Sequence, residues 1–182
     1  MRKLFWQIST SLDGFMEGLN RELDYTAQVS DQDFESYATD MLNSIDTIVL
    51  GRLTYELFAK HWPKATGPEA KRMNELPKLV FSKKLQTVRW QNSRLAKHDV
   101  AQEIAALKSQ PGKDIALFGS AGLASTFMRR GLIDEYRILV TPYVLGAGKA
   151  TFKGIKERLD LKLVKTRTWE SGIVVLYYEP AM

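Results

Sequence analysis

Hydrophobic positions change period several times along this chain, and each change marks an element. Leu4, Trp6, Ile8 and Leu12 fall at even spacing, the signature of a strand, and the segment from Lys3 to Leu12 closes on the turn pair Asp13-Gly14. Phe34, Tyr37, Ala38, Met41 and Leu42 then follow at i, i+3, i+4, i+7 and i+8, one apolar face of a helix. Ser30, with Asp33 three residues later, resembles a capping box at its start. Thr47-Ile48-Val49-Leu50 predicts a short buried strand ended by Gly51. A second helix is expected from Arg52 to Lys60, with Leu53, Leu57 and Phe58 turned inward.

Pro63 to Pro77 is polar and predicts a loop with one helical turn around Glu69 to Met73. Leu79-Val80-Phe81 predicts a strand, and Val88-Arg89-Trp90 another short one. Asp99 is placed to cap a helix carrying Val100, Ile104, Ala105 and Leu107, stopped by Pro111-Gly112. Ile115 to Phe118 is again a buried strand ended by a glycine, Gly119. The helix after it shows Leu123, Ala124, Phe127 and Met128 on one face and Gly131 as its C-cap. Glu135 to Val144 predicts a long strand. Leu159 to Thr168 and Ile173 to Tyr178 predict a hairpin about Glu170-Ser171-Gly172. Strands alternating with helices and closed by a hairpin imply one α/β domain: a mixed, mostly parallel sheet with helices on both faces and a C-terminal antiparallel hairpin. No repeat or interdomain linker interrupts the 182 residues.

Composition removes chemistry more than it adds any. The chain is 45% hydrophobic and 26% charged, and it has no cysteine. Disulfides, cysteine-based zinc and iron–sulfur sites and a cysteine nucleophile are thereby excluded. The two histidines, His61 and His98, have no carboxylate or serine at a diagnostic spacing, so no metal site is expected. The N-terminus reaches polar Gln7 too early for a secretory signal, and the apolar run Ile173 to Tyr178 is far below the ~20 residues of a membrane span. A cytoplasmic protein without a membrane partner is the expectation. The formal charge of +5 is uneven. Residues 1–60 hold 5 Lys/Arg against 10 Asp/Glu, residues 61–113 hold 11 against 4, and residues 114–182 hold 10 against 7. The basic middle suits a phosphate-bearing ligand or a solvated surface. Without interleaved aromatic residues it does not point to nucleic acid.

Two places repeat one design, a buried strand, a glycine at its end, then a helix: Ile48-Val49-Leu50-Gly51-Arg52-Leu53-Thr54 and Leu117-Phe118-Gly119-Ser120-Ala121-Gly122-Leu123. Helix N-termini attract anions, and glycine allows a phosphate close to the backbone. In open α/β sheets, ligands sit at the carboxyl ends of strands. A third strand end, Phe81-Ser82-Lys83-Lys84, adds hydroxyl and charge. Three such ends suggest a ligand with separated phosphates, such as an adenine dinucleotide phosphate.

Ser11-Leu12-Asp13-Gly14, Gly51-Arg52-Leu53-Thr54-Tyr55-Glu56, Phe81-Ser82-Lys83 and Gly119-Ser120-Ala121-Gly122-Leu123 occur in the order found in the dihydrofolate reductase superfamily. Gly131-Leu132-Ile133-Asp134-Glu135, followed by Thr141-Pro142-Tyr143-Val144-Leu145-Gly146, narrows the likeness. The chain resembles the C-terminal reductase domain of the bifunctional riboflavin-biosynthesis deaminase/reductase, in stand-alone form. That resemblance implies an NADPH-dependent reductase acting on a small heterocyclic molecule, pteridine-like or ribosylaminopyrimidine-like, and a homodimer for which Tyr136, Ile138 and Val140 offer apolar surface, although a core strand explains these three as well. It implies that Gly51, Arg52, Thr54, Gly119, Ser120, Ala121, Gly122 and Leu123 hold the cofactor. Ser82 and Lys83 would take its 2′-phosphate, and Ser9 and Met16 would lie by the nicotinamide. Ser120 departs from the family's usual glycine pair. On the substrate side the resemblance points to Asp13, which a turn explains equally, and to Asp33, which the capping box explains equally. Lys149, Lys153 and Lys156 stand either near a substrate phosphate or on a solvated face. A non-catalytic NADP(H)- or phosphometabolite-binding protein on the same fold is the alternative.

Overall fold

The computed structural model of the chain describes residues 2–20 and 32–181, with side chains described from Phe34 onward in the second stretch. Ser30 and the side chain of Asp33, the two halves of the expected capping box, lie outside the described residues. In chain order the strands are β1 (Leu4–Thr10), β2 (Phe15–Glu17), β3 (Ile45–Gly51), β4 (Lys78–Phe81), β5 (Ser93–Leu95), β6 (Asp114–Phe118), β7 (Glu135–Val140), β8 (Lys149–Ala150), β9 (Leu161–Thr168) and β10 (Val174–Pro180). The helices are α1 (Gln32–Asn43), α2 (Arg52–His61), α3 (Pro68–Glu75), α4 (Val100–Lys108) and α5 (Ala121–Arg129). None of the described helices is long and apolar enough to cross a membrane.

Eight strands form one sheet in the order β5-β4-β3-β6-β1-β7-β10-β9. Every pair from β5 to β7 is parallel, and β10 joins β7 and β9 antiparallel. The mixed, mostly parallel sheet and its closing hairpin are those expected from the alternation of elements. Both faces of the central strands are buried, which is why β3 and β6 are almost continuously apolar. Leu4, Trp6, Val49, Leu79, Ile115 and Leu117 pack on one side against Ile104 of α4 and Ala124, Phe127 and Met128 of α5. Phe5, Ile48, Leu50, Val80, Ala116 and Phe118 pack on the other against Met41 and Leu42 of α1, Tyr55 of α2 and Met73 of α3.

Four expectations need correction. Leu53 and Leu57 do not face inward: they are 40% and 47% exposed, while Tyr55 between them is buried. Val88 to Trp90 forms no strand. Its backbone is taken by the Tyr55 hydroxyl, which accepts from the N–H groups of Arg89 (2.8 Å) and Trp90 (3.1 Å), and the strand comes later, at β5. The long strand stops at Val140, because Pro142 has no N–H to continue a ladder. The polar stretch before Pro77 holds two helical turns, α3, started by Pro68 at the first helical position behind Gly67.

Tyr136 and Ile138 are buried within the monomer's own core, and Val140 packs against the same cluster.

Candidate functional site

β3 and β6 lie side by side with Leu50 opposite Phe118, so their two strand-to-helix turns emerge together. α2 begins behind Gly51 and α5 behind Ser120, and neither receives a side-chain cap or carries an acid in its first turn. α4 differs: Asp99 Oδ1 accepts from the Gln102 N–H at 2.9 Å. The chain therefore neutralises the positive end of α4 but leaves those of α2 and α5 for another acceptor.

The two turns interlock tightly enough to dictate their residues. A Cβ on Gly51 would stand 3.1 Å from Ser120 Oγ. One on Gly119, which sits at φ +62, would stand 2.7 Å from Thr54 Oγ1. Around Gly122 the space is open. Ser120 itself adopts φ 36, a left-handed conformation that side chains resist, so the serine holds this turn at a cost in backbone strain. Leu123, one turn into α5, packs toward Gly51 and the core.

From these turns a cavity of about 510 Å³ runs over the sheet. Gln7 and Ser9 of β1, Met16 of β2, Thr54 of α2, and Gly119 and Ser120 all line it. Its apolar wall is Met41 of α1, Leu53, Leu57 and Phe58 of α2, and Met73 of α3. The exposure of Leu53 and Leu57 thus faces a cavity. Trp62, in the single 3-10 turn after α2, also lines it, and its indole N–H is buried with no partner among the described residues.

Three carboxylates border the cavity in different states. Arg52 Nη1 donates to both oxygens of Glu56 at 3.0 and 2.9 Å. Lys149, on β8, pairs with Glu17 at 3.3 Å. Glu69, in the first turn of α3, has no ion pair among the described residues; burial, and then the nearby Glu35, push its carboxyl above the usual range. Gln7, Glu17, Glu69, Trp62 and Met73 carry no motif in the sequence, and Glu56 stands at the end of the Gly51–Glu56 motif without an expected site role. A single helical turn at Glu69 to Met73 gives no cue to a cavity, whereas Gly67-Pro68 followed by Ala70 and Met73 is the start of a full helix with an apolar pair, which brings Glu69 to the cavity edge.

Other anticipated residues lie elsewhere. Ser82 and Lys83 follow β4, beside the β3 turn but outside the cavity, and Ser82 Oγ accepts from the N–H groups of Lys84 (3.0 Å) and Leu85 (2.9 Å). Asp13 does not line the cavity either. Ser11 Oγ donates to it at 2.6 Å, and the N–H groups of Leu145 and Gly146 at 3.1 and 2.7 Å. These bonds, Ser11 first, hold its carboxyl below the usual range and tie the β1–β2 turn to the loop after β7. Lys153 and Lys156 are exposed away from the cavity, as are His61 and His98. Among the described residues no group of three or more His, Asp or Glu is placed to hold a metal ion.

Residues 2–175 match the RibD C-terminal domain family. YyaP, an uncharacterised protein of Bacillus subtilis (strain 168), is 41% identical over 183 residues, 97% of this chain and 94% of that one. A putative riboflavin biosynthesis protein from Shewanella sp. PV-4 superposes with a TM-score of 0.80 at 22% identity, covering 99% of both chains. Dihydrofolate reductase from Enterococcus faecalis, complexed with NADP(H) and RAB-propyl, superposes with a TM-score of 0.64 at 15% identity, covering 99% of this chain and 97% of that one. These last two are likenesses of fold. With paired turns at the ends of β3 and β6 and a match along nearly its whole length, the chain belongs to the RibD C-terminal domain family.

Proposed function

We propose that this chain is an NADPH-dependent reductase that delivers hydride to a small heterocyclic substrate. One observation carries the reading: two helices without side-chain caps start side by side at the ends of β3 and β6, at the mouth of a largely apolar cavity. Uncapped helix starts suit the pyrophosphate of a dinucleotide. The open space at Gly122 and the glycine-dependent turns leave room for its approach. In this reading Gly51, Arg52, Thr54 and the backbone of Gly119, Ser120, Ala121 and Gly122 bind the pyrophosphate, with Leu123 packing behind them. Ser82 and Lys83 take the 2′-phosphate, which favours NADPH over NADH. Ser9 and Met16 border the nicotinamide end.

NADPH supplies the hydride, as the difficult chemistry of such reactions belongs to the cofactor. The chain's own contribution is placement. Met41, Leu53, Leu57 and Met73 exclude water and sandwich a flat ring. Glu69 accepts from its ring or amino N–H groups, and the Trp62 ring adds to the wall. Lys149 and Glu17 answer each other's charge at the cavity edge. The walls therefore favour the heterocycle over a phosphorylated tail. Asp13 serves to position the β1–β2 turn beside Met16.

Titration with NADPH tests the reading. Saturable quenching of tryptophan fluorescence and a rise in melting temperature are expected, followed by loss of the reduced-nicotinamide absorbance with a pteridine or aminopyrimidine substrate. Neither quenching nor thermal stabilisation at millimolar NADPH overturns it. Binding without turnover across such substrates leaves the non-catalytic alternative.

A further inference from the structure

A second cavity, of about 330 Å³, opens on the same sheet face on the other side of α1, between that helix and strands β7, β10 and β9. It shares Met41 with the first cavity. Strand register explains its character. Gln7, Arg137, Tyr177 and Lys165 form one row across β1, β7, β10 and β9, and Arg167 stands two residues from Lys165 on the same side of β9. Three cations are thus gathered along one wall, although like charges placed together repel.

Aromatic rings hold them there. Arg137 stacks on Phe5 at 3.5 Å, Lys165 Nζ stands 4.4 Å above Tyr177, and Arg167 lies 4.8 Å over Trp169 and 5.5 Å over Tyr37. The Arg137 charge is answered by Glu135, whose Oε1 accepts from Nε at 2.5 Å. Lys165 and Arg167 form no ion pair among the described residues. Asp40, on α1, is the acidic group on the rim and pairs with none of the three. Two cations without an ion-pair partner among the described residues, at a cavity lined also by Thr166 and Tyr177, match one small dianion.

We propose that this cavity binds the phosphate group of a small molecule, inorganic phosphate or a phosphate monoester, at a site separate from the cofactor cleft. A phosphate carries close to two negative charges at neutral pH and accepts from both ammonium and guanidinium donors. Lys165 and Arg167 supply the charge, Arg137 a further fork of donors, and the rings fix all three in advance. The site also touches the first cavity through Met41 and through Tyr37, whose hydroxyl donates to Gln7 Oε1 at 3.2 Å. The inference does not depend on the reductase reading.

Calorimetric titration at constant ionic strength tests it, with inorganic phosphate in one arm and ribose 5-phosphate in the other. Saturable binding is expected in at least one arm; tighter binding of the ester identifies a monoester as the ligand, and equal binding identifies phosphate itself. Both Lys165→Ala/Arg167→Ala and the milder Lys165→Gln/Arg167→Gln should weaken it at least about tenfold, since charge-assisted contacts are lost. Their melting temperatures should stay near that of the parent, because both side chains are exposed on an edge strand. No saturation in either arm, or equal affinity in the double variants, as binding at the α2 and α5 starts would produce, overturns the proposal.

Discussion

Gly119 and Ser120 show what a single position can and cannot vary. Both have positive φ, yet only one is glycine. Gly119→Ala adds left-handed strain, roughly 1–2 kcal/mol, and drives a Cβ into Thr54. Ser120→Gly removes strain of the same kind, offset in part by the freedom glycine has when unfolded. Denaturant midpoints should move in opposite directions, down for Gly119→Ala and up for Ser120→Gly, at unchanged m-values. A midpoint for Gly119→Ala equal to the parent's would mean that the two turns are not interlocked. Much of this site was readable at this scale, because a glycine between an apolar strand and a helix leaves a plain trace. That Gly51 faces Ser120, and Gly119 faces Thr54, was not, since these contacts join segments far apart in the chain.

The helix α2 shows how an element can be located correctly and turned wrongly. Its extent follows from the apolar residues after Gly51. Its inward side is instead set by Tyr55, whose hydroxyl satisfies two backbone N–H groups 34 and 35 residues away. Leu53 and Leu57 look like core from their spacing but form a cavity wall, and a surface prepared for a ligand has the composition of a core. Tyr55→Phe should cost about 1–3 kcal/mol by leaving the buried Trp90 N–H and the part-buried Arg89 N–H without their acceptor. Leu57→Ser should change stability little, because that side chain is 47% exposed. Chemical denaturation of the two variants checks the contrast, and the reverse order would put Leu57 in the core.

At the scale of the molecule, charge reports on how the sheet edge is closed. Lys78, at the start of β4, is 1% exposed, and its Nζ donates to the carbonyls of Asn74, Leu76 and Gln91 while standing 4.1 Å over Trp90. It thereby pins α3, β4 and the segment before β5 together. Burial lowers its pKa from 10.5 to about 8. The folded protein gives up this proton before the unfolded chain does, so between those values the unfolded state binds more protons and stability rises with pH. Unfolding free energy followed from pH 8 to 10 should therefore climb in the parent relative to Lys78→Met, which lacks the titrating group. Parallel curves would mean that Lys78 titrates normally. The basic excess of residues 61–113 is put partly to this structural use, while the cations of the second cavity come from β7 and β9.

The α/β class, the longer strands, most of the helices and the two glycine turns could be read from the chain alone, because strand and helix periods and turn residues are local properties; the short strands β2, β5 and β8 could not. The family resemblance holds over residues 2–175. Which strands neighbour one another, and hence that the β3 and β6 turns meet, depends on pairing between distant segments and is visible in the folded chain alone. The tertiary structure also decided that Leu53 and Leu57 face a cavity, that Glu69 borders it, and that Asp13 is occupied as a tie. The same holds for the row Gln7, Arg137, Tyr177 and Lys165, drawn from four strands whose register places them side by side. Hydrophobic spacing records which residues leave bulk water. It does not record whether a protein neighbour or a ligand takes the water's place.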